Sequence, residues 1–208
     1  MLLTNQYRPN LSLSGGSITV PWIFTDDVNG GFLGNSGSVF IDARSNIEVG
    51  QIDTSSVSGN GGEIRIISDQ NITFTDNVDS SVRPDDGLGF GVGGNITVTA
   101  QEEIVLPSVN SSIRSITLGQ GKGGDIEINS RILSLNNGAE IFTLTRSMGE
   151  ASGQGGNLTI NAREFVEVIG VGQLPGSDPN NPQYKNTRLF ARTLGDGNAG
   201  NLTVKTRQ

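Results

Sequence analysis

The chain has 208 residues, a net charge of −7, no cysteine and no histidine. With no basic stripe to neutralise phosphates, nucleic acid is excluded as a partner, and the missing residues remove disulfide frameworks, thiolate metal sites and the commonest general base. Aromatics make up 5% and hydrophobics 34%, so one thick globular core is out of reach, yet Val, Ile and Leu alternate too regularly for disorder.

In chain order, the start Met1-Leu2-Leu3-Thr4-Asn5-Gln6-Tyr7-Arg8 shows no basic region leading into an apolar core, so no signal peptide is visible. No stretch approaches the length of apolar residues that a membrane-spanning helix needs. A short text then recurs. Its sharp copies are Gly61-Gly62-Glu63-Ile64-Arg65-Ile66, Gly93-Gly94-Asn95-Ile96-Thr97-Val98, Gly123-Gly124-Asp125-Ile126-Glu127-Ile128 and Gly155-Gly156-Asn157-Leu158-Thr159-Ile160. Looser copies are Gly15-Gly16-Ser17-Ile18-Thr19-Val20, Ser36-Gly37-Ser38-Val39-Phe40-Ile41 and Ala199-Gly200-Asn201-Leu202-Thr203-Val204. From Gly16 onward the intervals are 21, 25, 32, 30, 32 and 44 residues. A constant motif at a drifting interval predicts a constant frame carrying variable loops.

A second apolar pair follows each motif, as Ile47/Val49, Ile72/Phe74, Ile104/Leu106 and Val166/Val168, and one residue early as Leu133/Leu135. The first unit lacks it: Asp26 and Val28 hold those places, after Pro21-Trp22-Ile23-Phe24. A third strand-like piece comes next, as Ser55-Ser56-Val57-Ser58, Ser80-Ser81-Val82-Arg83, Ser111-Ser112-Ile113-Arg114, Glu140-Ile141-Phe142-Thr143 and Arg188-Leu189-Phe190-Ala191. Alternation sends Ile96 and Val98 to one face and Asn95, Thr97 and Thr99 to the other.

These units predict an all-β fold, a right-handed parallel β-helix with three short strands per coil and about six to seven coils. An antiparallel sandwich explains the alternation but not the fixed register after each glycine pair. A lone coil buries too little to offset its chain entropy, so stability is expected to be cooperative along the axis. Residues 1–208 read as a single repeat segment, a piece of a longer array, with a loop insertion at 170–186. Shorter loops are expected at Pro84–Gly91 and Ser147–Gln154.

No catalytic, cofactor-binding or metal-ligating residue is assigned. The glycine pairs open strands, not the helix that a phosphate loop needs, and read as positive-φ or tight-turn positions. Asn95, Asn157 and Asn201 read as a corner column bonding from coil to coil. The sequons at Asn71, Asn95, Asn157 and Asn201 fall inside the strand motif and are discounted. Calcium through Asp26/Asp27 or Asp85/Asp86 is the weak alternative for the acidic pairs. Glu102/Glu103, Glu164/Glu167 and Asp42/Glu48 face outward, and Glu164/Glu167 is the pair that a carbohydrate-active lyase or hydrolase would use as acid and base. No aromatic platform accompanies them, Trp22, Tyr7 and Tyr184 being scattered.

The run Gly-Gly-Asn-[Ile/Leu]-Thr-[Val/Ile], an apolar pair, Ser-Ser-Ile and Gly-x-Gly resembles the repeat region of filamentous-haemagglutinin-like exoproteins, the two-partner secretion family that includes long cyanobacterial members. Gly119-Gln120-Gly121-Lys122-Gly123-Gly124-Asp125 and Gly195-Asp196-Gly197-Asn198-Ala199-Gly200-Asn201 carry the likeness, which covers about residues 37 to 208. The resemblance implies a non-enzymatic structural and adhesive rod, secreted or on the cell surface. It implies neighbouring coils, surface glycans or other cells, and an outer-membrane transporter for the full-length protein as partners. It supplies no active-site residue.

Overall fold

The computed structural model describes residues 1–4, 16–26, 34–57, 59–84, 90–146 and 153–207. Among them the chain is all-β, without a helix. One 15-stranded sheet carries almost everything, and every pairing in it is parallel. Its strands fall into three rows.

The first row is β1 (Leu2–Thr4), β3 (Val39–Ala43), β5 (Ile64–Ser68), β8 (Ile96–Ala100), the leading halves of β11 (Ile126–Asn136) and β13 (Leu158–Ile169), and β17 (Leu202–Thr206). The second row is the leading halves of β2 (Ile18–Phe24) and β4 (Ile47–Asp53), then β6 (Ile72–Phe74), β9 (Glu103–Leu106) and the trailing halves of β11 and β13. The third row is the trailing halves of β2 and β4, then β7 (Asn77–Asp79), β10 (Ser112–Leu118), β12 (Glu140–Arg146) and β16 (Arg188–Leu194).

Alternation works as read. Ile64 and Ile66, Ile96 and Val98, Ile126 and Ile128, and Leu158 and Ile160 are register partners along the first row, and all are buried. The second row adds Ile47/Val49, Ile72/Phe74, Ile104/Leu106 and Leu133/Leu135 to the same core. The third adds Ile52, Val78, Ile113 and Ile141. Side chains of similar size thus stack in columns, each apolar group covered by the equivalent residue of the next unit. The early arrival of Leu133/Leu135 is a register shift in the β11–β13 pairing, between Ser130 and Ile132.

Three expectations are corrected. Ile18-Thr19-Val20 is not a first-row strand: Ile18 pairs with Ile47 and Val20 with Val49, which places it in the second row. The first-row strand of that unit is Leu2–Thr4, paired with Phe40–Asp42, and Pro21-Trp22-Ile23-Phe24 belongs to the third row. The Ser-Ser texts are not register equivalents either. Ser112 pairs with Asn77, not with Ser80 or Ser81, because the step between those units is longer in the third row. Ser80 and Ser81 lie further along the same ladder, beside Val82, which bridges Thr117.

The third correction concerns the motif glycines, which do not adopt positive φ; Gly119, Gly138, Gly170, Gly176 and Gly195 do. A methyl group on Gly124 would overlap the carbonyl oxygen of Gly94, and one on Gly94 would overlap that of Gly62. Close stacking of backbone on backbone, not a special dihedral, demands glycine there. The insertion after Gly170 is folded as well: β14 (Val171–Gln173) and β15 (Tyr184–Asn186) form an antiparallel hairpin. Much of Pro84–Gly91 and Ser147–Gln154 lies outside the described residues, as do Tyr7, Asp27, Asp85 and Asp86.

Ile128→Asp is expected to cost more than about 4 kcal/mol, since it buries an unpaired charge, whereas Glu127→Lys on the outer face should cost less than about 0.5 kcal/mol. Thermal melts followed by circular dichroism decide this, and equal effects would refute the assignment of faces. Gly124→Ala should lower stability by about 3 kcal/mol. Gly176→Ala meets open space at positive φ and should cost only about 1 kcal/mol, read from urea midpoints.

Candidate functional site

Outward-facing positions of the rows and their corners carry the polar chemistry. At the corner leading into the first row, side chains bond along the stack. Asn95 Oδ1 accepts the backbone N–H of Asp125 at 2.9 Å, Asp125 Oδ1 accepts that of Asn157 at 2.7 Å, and Asn157 Oδ1 accepts that of Asn201 at 3.0 Å. Glu63 N–H donates to Ser38 Oγ at 3.2 Å in the same column. This is the expected corner column. A second one lies between the first and second rows: Asn46 Oδ1 accepts from Asn71 Nδ2 at 3.1 Å, and Asn71 Oδ1 accepts the N–H of Glu103 at 3.1 Å. The sequon asparagines are therefore lattice residues of the frame.

Several motif glycines spend their N–H groups within the frame. Gly93 donates to the carbonyl of Lys122, Gly123 to that of Gln154 and Gly94 to that of Ser80. Their carbonyls are also engaged. Thr25 Oγ1 donates to Gly37 O at 2.5 Å, Thr54 Oγ1 to Gly62 O at 2.9 Å and Thr143 Oγ1 to Gly156 O at 2.6 Å.

Of the acidic residues singled out in the sequence, Glu102, Glu103 and Glu164 occupy ion-pair and hydrogen-bond positions. Arg131 on β11 donates from Nε to Glu102 at 2.6 Å and from Nη1 to Glu164 at 2.7 Å, so one guanidinium ties three successive units. The bond to Glu102, then that to Glu164, holds this guanidinium charged, above its usual range. Glu103 Oε1 accepts from Ser134 Oγ at 2.7 Å, and Glu167 sits beside Ser134 in register on the second row. Asp42 lies on the first row and Glu48 on the second, so the structure does not unite that pair on one strand face. Among the described residues no group of three acidic side chains could hold a metal ion.

Two clusters on the third row escape sequence reasoning. Asp79, 3% exposed at its side chain, is paired with both Arg83 and Arg114, the latter at 2.8 Å. Ser81 also donates to it. Burial lowers the pKa of both guanidiniums; for Arg83 the charge of Arg114 adds to this, while the Asp53 carboxylate opposes it in both. Further along, Glu140 pairs with Arg188 and, at 3.1 Å, with Lys185 from the hairpin. Beside it Phe142 and Phe190 stack at 4.6 Å between centroids and 7° between planes, with the Arg188 guanidinium 5.2 Å from the Phe190 ring. For the Asp79 cluster the available signal was the repeated Arg after Ser-Ser-Val and Ser-Ser-Ile; for the aromatic pair it was the equivalence of Glu140-Ile141-Phe142-Thr143 and Arg188-Leu189-Phe190-Ala191.

A groove of about 710 Å³ opens along the corner between the first and second rows, lined by Thr99, Gln101, Asn129, Asn161, Arg163 and Lys205 together with Arg207 and neighbouring backbone. Asn161 Nδ2 donates to Asn129 Oδ1 at 2.9 Å, and Arg163 reaches across to the carbonyl and side chain of Gln101. The register shift in β13 frees Arg163 from the ladder at this point.

Compared with protein-family models, curated proteins and solved structures, the chain shows no match.

Asp79→Ala leaves two half-buried guanidiniums without their carboxylate and should cost about 2 kcal/mol. Adding Arg114→Met should recover part of that loss in a double-mutant cycle of denaturant midpoints; strict additivity would show that the pair is not coupled.

Proposed function

We propose that the chain winds as a right-handed parallel β-helix, each turn giving one strand to each of the three rows. In this reading it is a non-enzymatic structural and adhesive rod of a secreted or cell-surface exoprotein of the filamentous-haemagglutinin-like kind. The right hand follows from the general preference of parallel crossovers.

The observation that carries the reading is the constancy of register against the inconstancy of length. Along the first row the partners Val39, Ile64, Ile96, Ile126, Leu158 and Leu202 are separated by 25, 32, 30, 32 and 44 residues, yet each pairs in step with the next. Variation in length falls in the connections between the paired strands. Such an object presents different surfaces unit by unit on one stiff axis, which is what an adhesive rod requires. The outer carboxylates also support it, because Glu102 and Glu164 share Arg131 and Glu140 is held by two cations. These charges fasten units to one another. Full-length partners in this reading are further turns of the same helix, glycans or surfaces of other cells, and an outer-membrane transporter.

The test pairs a glycan array on the purified chain with lyase and hydrolase assays on polysaccharides. Binding without turnover is expected. Turnover that Glu164→Ala abolishes would overturn the reading in favour of a carbohydrate-active enzyme.

A further inference from the structure

We propose that the groove between the first and second rows binds a carboxylate-bearing polysaccharide, a uronate chain lying along the axis of the stack. The inference deepens the adhesive reading and rests on it.

Charge is the first ground. Acidic residues outnumber basic ones by 21 to 14 in the chain, so a surface chosen at random is negative. The groove is the opposite: Arg163, Lys205 and Arg207 line it, and among the described residues the carboxylate bonded to its lining is that of Glu127, which accepts from Asn129 Nδ2 at 3.2 Å. Among the described residues Lys205 and Arg207 take part in none of the ion pairs, and both are exposed. Arg163 is anchored through its terminal nitrogens to Gln101, which holds its guanidinium in the groove.

The second ground is the neutral lining. Asn129 and Asn161 lie one above the other in register, and Lys205 follows Asn161 in the same column. The bond from Asn161 Nδ2 to Asn129 Oδ1 uses one half of the Asn161 amide and leaves its carbonyl oxygen as an acceptor. Thr99 adds a hydroxyl at the next level. Amide and hydroxyl groups beside cations recognise a ligand that carries both hydroxyls and negative charge. Bare polyphosphate would use the cations alone. An acidic peptide brings few hydroxyls.

The third ground is geometry. Lining positions recur at the strand spacing of about 4.8 Å, close to the advance of one sugar ring, and the groove crosses four units. A polymer laid along the axis meets an equivalent set of groups at each step. The volume of about 710 Å³ suits a short run of sugar residues.

The test is calorimetric titration of the intact chain with a hexamer of galacturonic acid, a neutral galactose hexamer and inorganic polyphosphate. The uronate hexamer should bind, with an affinity that falls as salt is raised, and the neutral hexamer should not. Lys205→Gln with Arg207→Gln should weaken uronate binding by about tenfold or more. Arg146→Gln with Arg192→Gln, the same charge change at exposed sites on the third row, should leave it unaltered. All variants should melt like the parent, because these side chains are exposed. Equal binding of the neutral hexamer, binding of polyphosphate to the Lys205→Gln, Arg207→Gln variant as tight as to the parent, or indifference of uronate binding to the paired substitution would overturn the proposal. If the uronate hexamer fails while other glycans on the array still bind, the groove assignment falls and the adhesive rod stands. If no glycan binds, both fall.

Discussion

Parallel strands hydrogen-bonded at a spacing of about 4.8 Å set the terms for every residue in this chain. At that spacing the backbone of one unit lies against the backbone of the next wherever the chain turns. The carbonyl oxygen of Gly62 occupies the space that a side chain on Gly94 would need, and Gly94 does the same to Gly124. The hydroxyls of Thr25, Thr54 and Thr143 then seal the same corner by donating to the carbonyls of Gly37, Gly62 and Gly156. The corner is tight and polar, and the apolar columns of Ile, Val and Leu fill what remains inside. A chain with few aromatics suffices, because each side chain needs to cover only its counterpart one spacing away.

Much of this was legible in the sequence, and the failures are instructive. Ile96 and Val98, Ile104 and Leu106, and the Asn95–Asp125–Asn157 column could be read because period-two alternation and a glycine pair fix face and phase together. Ile18-Thr19-Val20 misled because it carries the same local text while lying one row further on. Local text reports that a segment is a strand; only the partner tells which row it joins. Leu2–Thr4 carries none of the repeated text and so gave no signal. The Ser-Ser pieces were displaced because connections of unequal length enter the third row, which shifts similar words against one another. The role of the glycines was hidden for a different reason: the atom that excludes a side chain belongs to a residue some thirty positions away.

The electrostatic pattern was the least legible part. Glu102, Arg131 and Glu164 are strangers in sequence and neighbours in space, separated by 29 and 33 residues. Asp79 draws in Arg83 from nearby and Arg114 from the next unit. An outward charge in such a stack faces two possible partners, one on either side along the axis, so opposite charges at equivalent positions select the correct neighbour. This favours register over strength, since half-exposed pairs add little stability. The column of Asn129, Asn161 and Lys205 obeys the same geometry, with Asn161 bonded to Asn129 and Asn129 to Glu127.

The hairpin of β14 and β15 shows what this architecture permits. Val168 before it pairs with Leu135, and Arg188 after it pairs with Glu140, so the ladders on either side keep step as though nothing had been inserted. Lys185 from the hairpin even returns to Glu140, which gives the excursion a foothold. Frame and cargo are thus written in separate alphabets within one chain. The frame tolerates almost no change at a glycine such as Gly124, while the cargo is free to lengthen, shrink or be exchanged at the same corner in another unit. For protein engineering, the tip around Gly176 is a natural graft point for a foreign peptide. For evolution, it means that new surface chemistry can be tried one unit at a time without renegotiating the fold.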